Sequence, residues 1–113
     1  MTIEIMVSEA QSALVVDVNG SVNSITAVKL GEELQRAAKK GKHNLVLDLS
    51  GVEYITSAGL REIMRALQTA HSSGGDLRLA APSARVTEVL EMTGFDSVLG
   101  IYATREDAVQ SFA

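Results

Sequence analysis

Leu45-Val46-Leu47-Asp48-Leu49-Ser50-Gly51-Val52-Glu53-Tyr54-Ile55-Thr56-Ser57-Ala58-Gly59-Leu60 reads as an apolar strand, a short loop and the opening of a helix. Leu45 to Leu49 is interrupted only by Asp48, the pattern of a strand buried on both faces. Downstream, Leu60, Ile63, Met64, Leu67 and Ala70 recur at helical spacing, with Arg61, Glu62, Arg65 and Gln68 off the stripe. The unit is strand, loop, helix, and it delivers Ser57 to the helix start. Free backbone N–H groups and the helix dipole favour negative charge there, so a phosphate on Ser57 would meet ready donors. The same serine could instead cap the helix, its oxygen accepting a backbone N–H.

Working outward, Ile3, Ile5 and Val7 alternate with more polar neighbours, as do Leu14, Val16 and Val18, which predicts two strands followed by a bend at Asn19-Gly20. Ala27, Leu30, Leu34, Ala37 and Ala38 predict a first helix that runs into the basic turn Lys39-Lys40 and stops at Gly41. The helix after Ser57 ends near Ser72-Ser73-Gly74-Gly75, and Asp76 to Ala80 is a strand halted by Pro82. A third helix from about Ala84 to Met92 buries Val86, Val89 and Leu90, with Gly94 as its C-terminal cap. Val98 to Tyr102 reads as a short strand. Thr104 and Asp107 form a capping-box pattern that opens a last helix containing Ala108, Val109 and Phe112. Two strands followed by alternating helices and strands place the chain in the α/β class, as one domain over residues 1–113.

Composition bounds the function. A chain of 113 residues with 46% hydrophobic and 21% charged residues can bury one core, and it lacks the composition of a disordered segment. The net charge of −4, with basic residues scattered among acidic ones, offers no footprint for nucleic acid. No cysteine is present, which excludes disulfides, thiolate metal sites and cysteine nucleophiles. Apolar runs fall far below the roughly 20 residues of a membrane span, and Met1-Thr2-Ile3-Glu4-Ile5 carries neither a basic leader nor an apolar core. Cytoplasmic residence without membrane insertion is the expectation.

Catalytic constellations are wanting. His43 and His71 lie near the ends of two different predicted helices, remote from any acidic pair at ligand spacing, and read as solvent-facing residues near a helix C-terminus. Ser57 has no visible base and no Gly-x-Ser-x-Gly frame, and the glycines form no nucleotide fingerprint. No catalytic residue, metal or cofactor is expected. Asp48 is either a hydrogen-bonded structural carboxylate or a residue that shapes the Ser57 loop. Arg61 and Arg65 either meet a phosphate or an acidic partner, or form a solvated face. Gly59 either lets a partner approach the loop or packs the helix start against the sheet.

Residues 48–60, together with Gly20-Ser21-Val22-Asn23-Ser24-Ile25-Thr26-Ala27 and Ala81-Pro82-Ser83 through Thr93-Gly94-Phe95, resemble the STAS domain family, named for sulfate transporters and anti-sigma factor antagonists. The likeness spans residues 3 to 112. It implies a mixed sheet of four or five strands with about four helices, packed on one side. A free-standing chain of this length is similar to the anti-sigma factor antagonists, binding proteins of partner-switching pathways rather than enzymes. In that family the serine matching Ser57 is phosphorylated by a partner that is both serine kinase and anti-sigma factor, and a serine phosphatase reverses the modification. The unmodified antagonist, a monomer when free, binds the kinase, and phosphorylation blocks that binding.

Carried onto this chain, the resemblance makes Ser57 the acceptor and Asn23, Ser24, Thr56, Ser57, Ala58, Gly59, Leu60 and Arg61 the partner surface. Two positions depart from the best-known members, which carry Asp where this chain has Asn23 and Thr56. Both changes remove negative charge near Ser57, and Thr56 becomes a second candidate acceptor. An alternative within the same family is a constitutive interaction subunit of a membrane transport complex.

Overall fold

The computed structural model describes residues 2–40 and 43–113. Its five strands and four helices follow the order β1 (Glu4–Ala10), β2 (Ala13–Val22), α1 (Thr26–Ala38), β3 (Asn44–Ile55), α2 (Ser57–Ser72), β4 (Asp76–Ala80), α3 (Ala84–Thr93), β5 (Gly100–Tyr102) and α4 (Arg105–Gln110). The strands lie side by side in chain order. β1 and β2 form an antiparallel hairpin, and every later pairing is parallel, each made by a helical crossover. The expected glycine stop at Gly41 lies outside the described residues.

Alternation along the strands sorts the core into two layers. Leu14, Val16 and Val18 of β2, Leu45, Leu47 and Leu49 of β3, and Leu77 and Leu79 of β4 pack with Leu30, Leu34, Ile63, Leu67, Val86 and Leu90 from α1, α2 and α3. Val15, Val46 and Ala80 point the other way, under Ala108 and Val109 of α4. The helices therefore do not all share one side: α4 covers the opposite face. Burial on both sides is why the central strands read as nearly continuous apolar runs.

Two strand ends differ from expectation. The chain does not bend away at Asn19-Gly20: β2 continues to Val22, with Gly20 at φ +123°, a conformation that glycine adopts without strain. β3 likewise runs past Leu49 to Ile55, because Asn19 and Gly20 pair with Gly51 and Val52 through register irregularities. Turn-type residues are held extended by their neighbour across the sheet. Farther on, α3 ends as expected, with Gly94 at φ +78°. A 3₁₀ turn, Phe95–Ser97, then occupies the approach to β5 and shortens it to Gly100–Tyr102.

Candidate functional site

Parallel βα connections bring the starts of α1, α2 and α3 to one edge of the sheet, beyond the C-terminal ends of β2, β3 and β4. Two of these connections are stitched together. Thr56 donates to the Val22 carbonyl twice, from its backbone N–H at 2.9 Å and from its hydroxyl at 3.1 Å. Gly59 packs beneath them: a Cβ there would run into Val22 Cγ1 and lie 2.8 Å from Ile55 Cγ1. Leu60 is buried in the main core. Gly59 and Leu60 thus support the loop from inside, while the accessible surface comes from their neighbours.

The helix start falls one residue earlier than a capping Ser57 requires. Thr56 occupies the N-cap position with extended backbone (φ −100°, ψ 173°) and makes no side-chain cap, its hydroxyl being spent on Val22. Ser57 is the first helical residue and is exposed. Leu60 N–H closes the first helical bond, to Thr56. The N–H groups of Ser57, Ala58 and Gly59 precede it, and helix geometry gives them no acceptor within the helix. An exposed hydroxyl thus sits among amides that favour an anion.

Asn23 organises the adjoining loop. Its Oδ1 accepts from Ile25 N–H at 2.8 Å and Thr26 N–H at 2.9 Å. Thr26 Oγ1 donates to the Ser21 carbonyl at 2.8 Å and accepts from Asn23 N–H at 2.9 Å. The amide oxygen does the capping of α1 that a carboxylate oxygen would do, so the neutral side chain is compatible with the loop's geometry. Ser24 is exposed at the tip. Ile25 and Val28 are apolar yet 78% and 62% exposed. Their positions off the stripe of Ala27, Leu30 and Leu34 were visible in the sequence, and that signal marks them as candidate contact residues.

The remaining candidates separate from this edge. Asp48 faces α4: its Oδ2 accepts from Arg105 Nε at 2.7 Å and its Oδ1 from Ser50 N–H at 2.9 Å. Burial pushes its pKa up, but the Ser50 amide and the Arg105 guanidinium outweigh that and hold it below the usual carboxylate range. It is a structural carboxylate, on the far face from the Ser57 helix. His71 is exposed and bonded through Nε2 to Asp76 Oδ1 at 2.9 Å. His43 is not solvent-facing: it is half-buried, and its Nδ1 is buried with no hydrogen-bond partner among the described residues. Arg65 is exposed and pairs at 3.5 Å with Glu62, which lies against Gly31 of α1. Among the described residues, no group of acidic and histidine side chains could hold a metal ion, and no helix is long and apolar enough to cross a membrane.

A model of the STAS domain matches residues 4–108. The chain belongs to the STAS domain family. BtrV of Bordetella bronchiseptica, provisionally named an anti-sigma factor antagonist, is 36% identical over 99 residues, covering 88% of this chain and 85% of that protein. The anti-sigma-B factor antagonist of Bacillus subtilis is 28% identical over 110 residues, spanning 97% of this chain and 100% of the relative. The crystal structure of an anti-sigma factor antagonist from Mycobacterium paratuberculosis superposes with a TM-score of 0.88 at 26% identity, over 96% of this chain and 92% of that one. In this STAS domain, the stitched β2–α1 and β3–α2 connections present Ser24, Ile25, Ser57, Ala58 and Arg61 at one edge.

Proposed function

We propose that this STAS domain is an anti-sigma factor antagonist: it docks an anti-sigma factor that is also a serine kinase through the edge carrying Ser57, and phosphorylation of Ser57 releases it. The observation that carries the reading is the exposed first-turn hydroxyl of Ser57, on a connection that Thr56 ties to the end of β2, the strand that leads into α1 with its exposed Ile25 and Val28. Exposed apolar residues together with exposed serines and Arg61 suit a protein partner. In the modification, the terminal phosphoryl group of a nucleoside triphosphate moves to Ser57 Oγ as its bond to the diphosphate breaks, and the hydroxyl proton passes to a base on the kinase. A serine phosphatase removes the group by hydrolysis.

Phosphate adds about −1.5 to −2 charge at the centre of this surface. Bringing that dianion into a packed interface without a matching cation costs a few kcal/mol, about two decades of affinity. Thr56 is the weaker acceptor, because its hydroxyl already donates to Val22 and is half-buried. The experiment is mass spectrometry of the endogenous protein under growth and stress, paired with affinity capture using wild type, Ser57→Ala and Ser57→Asp. Variable phosphate on Ser57, with a kinase captured by wild type and Ser57→Ala but not by Ser57→Asp, is the expected result. Unmodified Ser57 and equal capture of a transporter subunit by all three would overturn it.

A further inference from the structure

Nearly every arginine of this domain has a partner. Arg36 pairs with Glu33, Arg65 with Glu62, Arg78 with Asp76, and Arg105 with Asp17 and Asp48. Arg85 lies 5.8 Å over the Tyr54 ring. Arg61 is the exception among the described residues: it is exposed and has neither an acidic nor an aromatic partner. It follows Ser57 by four residues on α2, a spacing that stacks the two side chains one turn apart on the same helix face. An anion N-terminal to a cation at this spacing is also the favourable order.

We infer that Arg61 is a positioning residue for the modified state, its guanidinium pairing with a phosphate on Ser57 and holding it against the first turn of α2. The inference rests on Ser57 being the phosphorylated hydroxyl. The planar guanidinium fork matches phosphate oxygens, and the N–H groups at the helix start supply donors from the other side. Competing carboxylates are few: Glu62 is engaged by Arg65 and lies over Gly31, and Glu53 is exposed on β3. In the unmodified chain Arg61 is available to an acidic group on a docked partner. Phosphorylation supplies an internal anion and withdraws that cation, so one event changes the surface twice: it adds negative charge and occupies the positive one.

The test installs phosphoserine at position 57 during synthesis, which needs no kinase, and follows the phosphate by phosphorus NMR as a function of pH. Wild type, Arg61→Gln and Arg61→Lys are compared, with circular dichroism as the check on folding. The second phosphate pKa is expected to be lower in wild type than in Arg61→Gln by about 0.3 of a pH unit, with Arg61→Lys between them. About 1 M salt should shrink the difference. Identical titrations in wild type and Arg61→Gln would overturn the inference. Absence of phosphate on Ser57 in the cell would instead count against the functional reading above, while leaving this titration difference intact.

Discussion

Arg105 donates from Nε to Asp48 Oδ2 at 2.7 Å, and the same guanidinium reaches Asp17 on the neighbouring strand. Asp17 and Asp48 are register partners, so β2 and β3 hold two carboxylates side by side, with the first residue of α4 as their shared cation. Removing that cation should be costly. Breaking a buried ion pair typically costs about 3–5 kcal/mol, and solvent at the partly exposed arginine screens some of it, so Arg105→Ala should lose about 2 kcal/mol. Urea denaturation at neutral pH measures this, and an unchanged midpoint would mean the clamp is idle.

Acid should act through the same carboxylate. The Asp48 pKa is lower in the folded chain than in the unfolded one, so the folded state binds fewer protons. Its stabilisation is complete above the ordinary carboxylate value of about 3.9 and is lost as pH falls through the depressed value. Asp76 has the same sign: burial pushes it up, and His71, Arg78 and the Leu77 N–H outweigh that. Thermal melts should therefore decline below about pH 4. Asp48→Asn, less stable at neutral pH, should decline less steeply over that range.

Two glycines in neighbouring helices should respond oppositely to alanine. At Gly59 a Cβ meets Val22 and Ile55, both buried and branched, and overpacking of this kind costs about 1–3 kcal/mol. At Gly31 the obstacle is the carboxylate end of Glu62, which can swing away at the expense of a weak pair with Arg65. Helix propensity favours alanine by about 1 kcal/mol, so Gly31→Ala should be neutral to stabilising. Paired denaturation curves decide it, and equal losses at both positions would contradict the steric argument.

Asn23 gives a test of charge against geometry. Asn23→Ala removes the acceptor of two N–H groups and should cost about 1 kcal/mol. Asn23→Asp keeps the acceptor and adds an anion at the start of α1, so it should equal or exceed wild type. The check is the thermal midpoint of the three proteins at neutral pH, where a large loss in the aspartate variant would show that the amide has a role its oxygen does not explain.

A continuous apolar run made the core of β3 legible in the sequence and helical spacing did the same for the stripe of α2, because burial on both faces leaves a run and burial on one leaves a repeat. Strand ends were less so. Asn19-Gly20 and Ser50-Gly51 carry turn chemistry, yet Asn19 is paired with both Glu4 of β1 and Gly51 of β3, and Gly20 with Val52, so the sheet keeps these segments extended. Ser57 was legible as the exposed hydroxyl at a helix start, but its offset from the cap was not, since Thr56 is fixed by Val22, 34 residues away. Arg105 could not be assigned its place: its partners lie 57 and 88 residues earlier, and only the folded sheet brings them together.

A ribosome delivering this chain would complete the strands in the order in which they stand in the sheet, each new one docking beside the last. Through most of synthesis the growing sheet would carry its two adjacent carboxylates without their cation. The clamp closes only when Arg105 emerges, after the last of the five strands described. A chain interrupted before Arg105 would keep its strands and lack the clamp, so the last helix acts as the lock on a sheet already laid down.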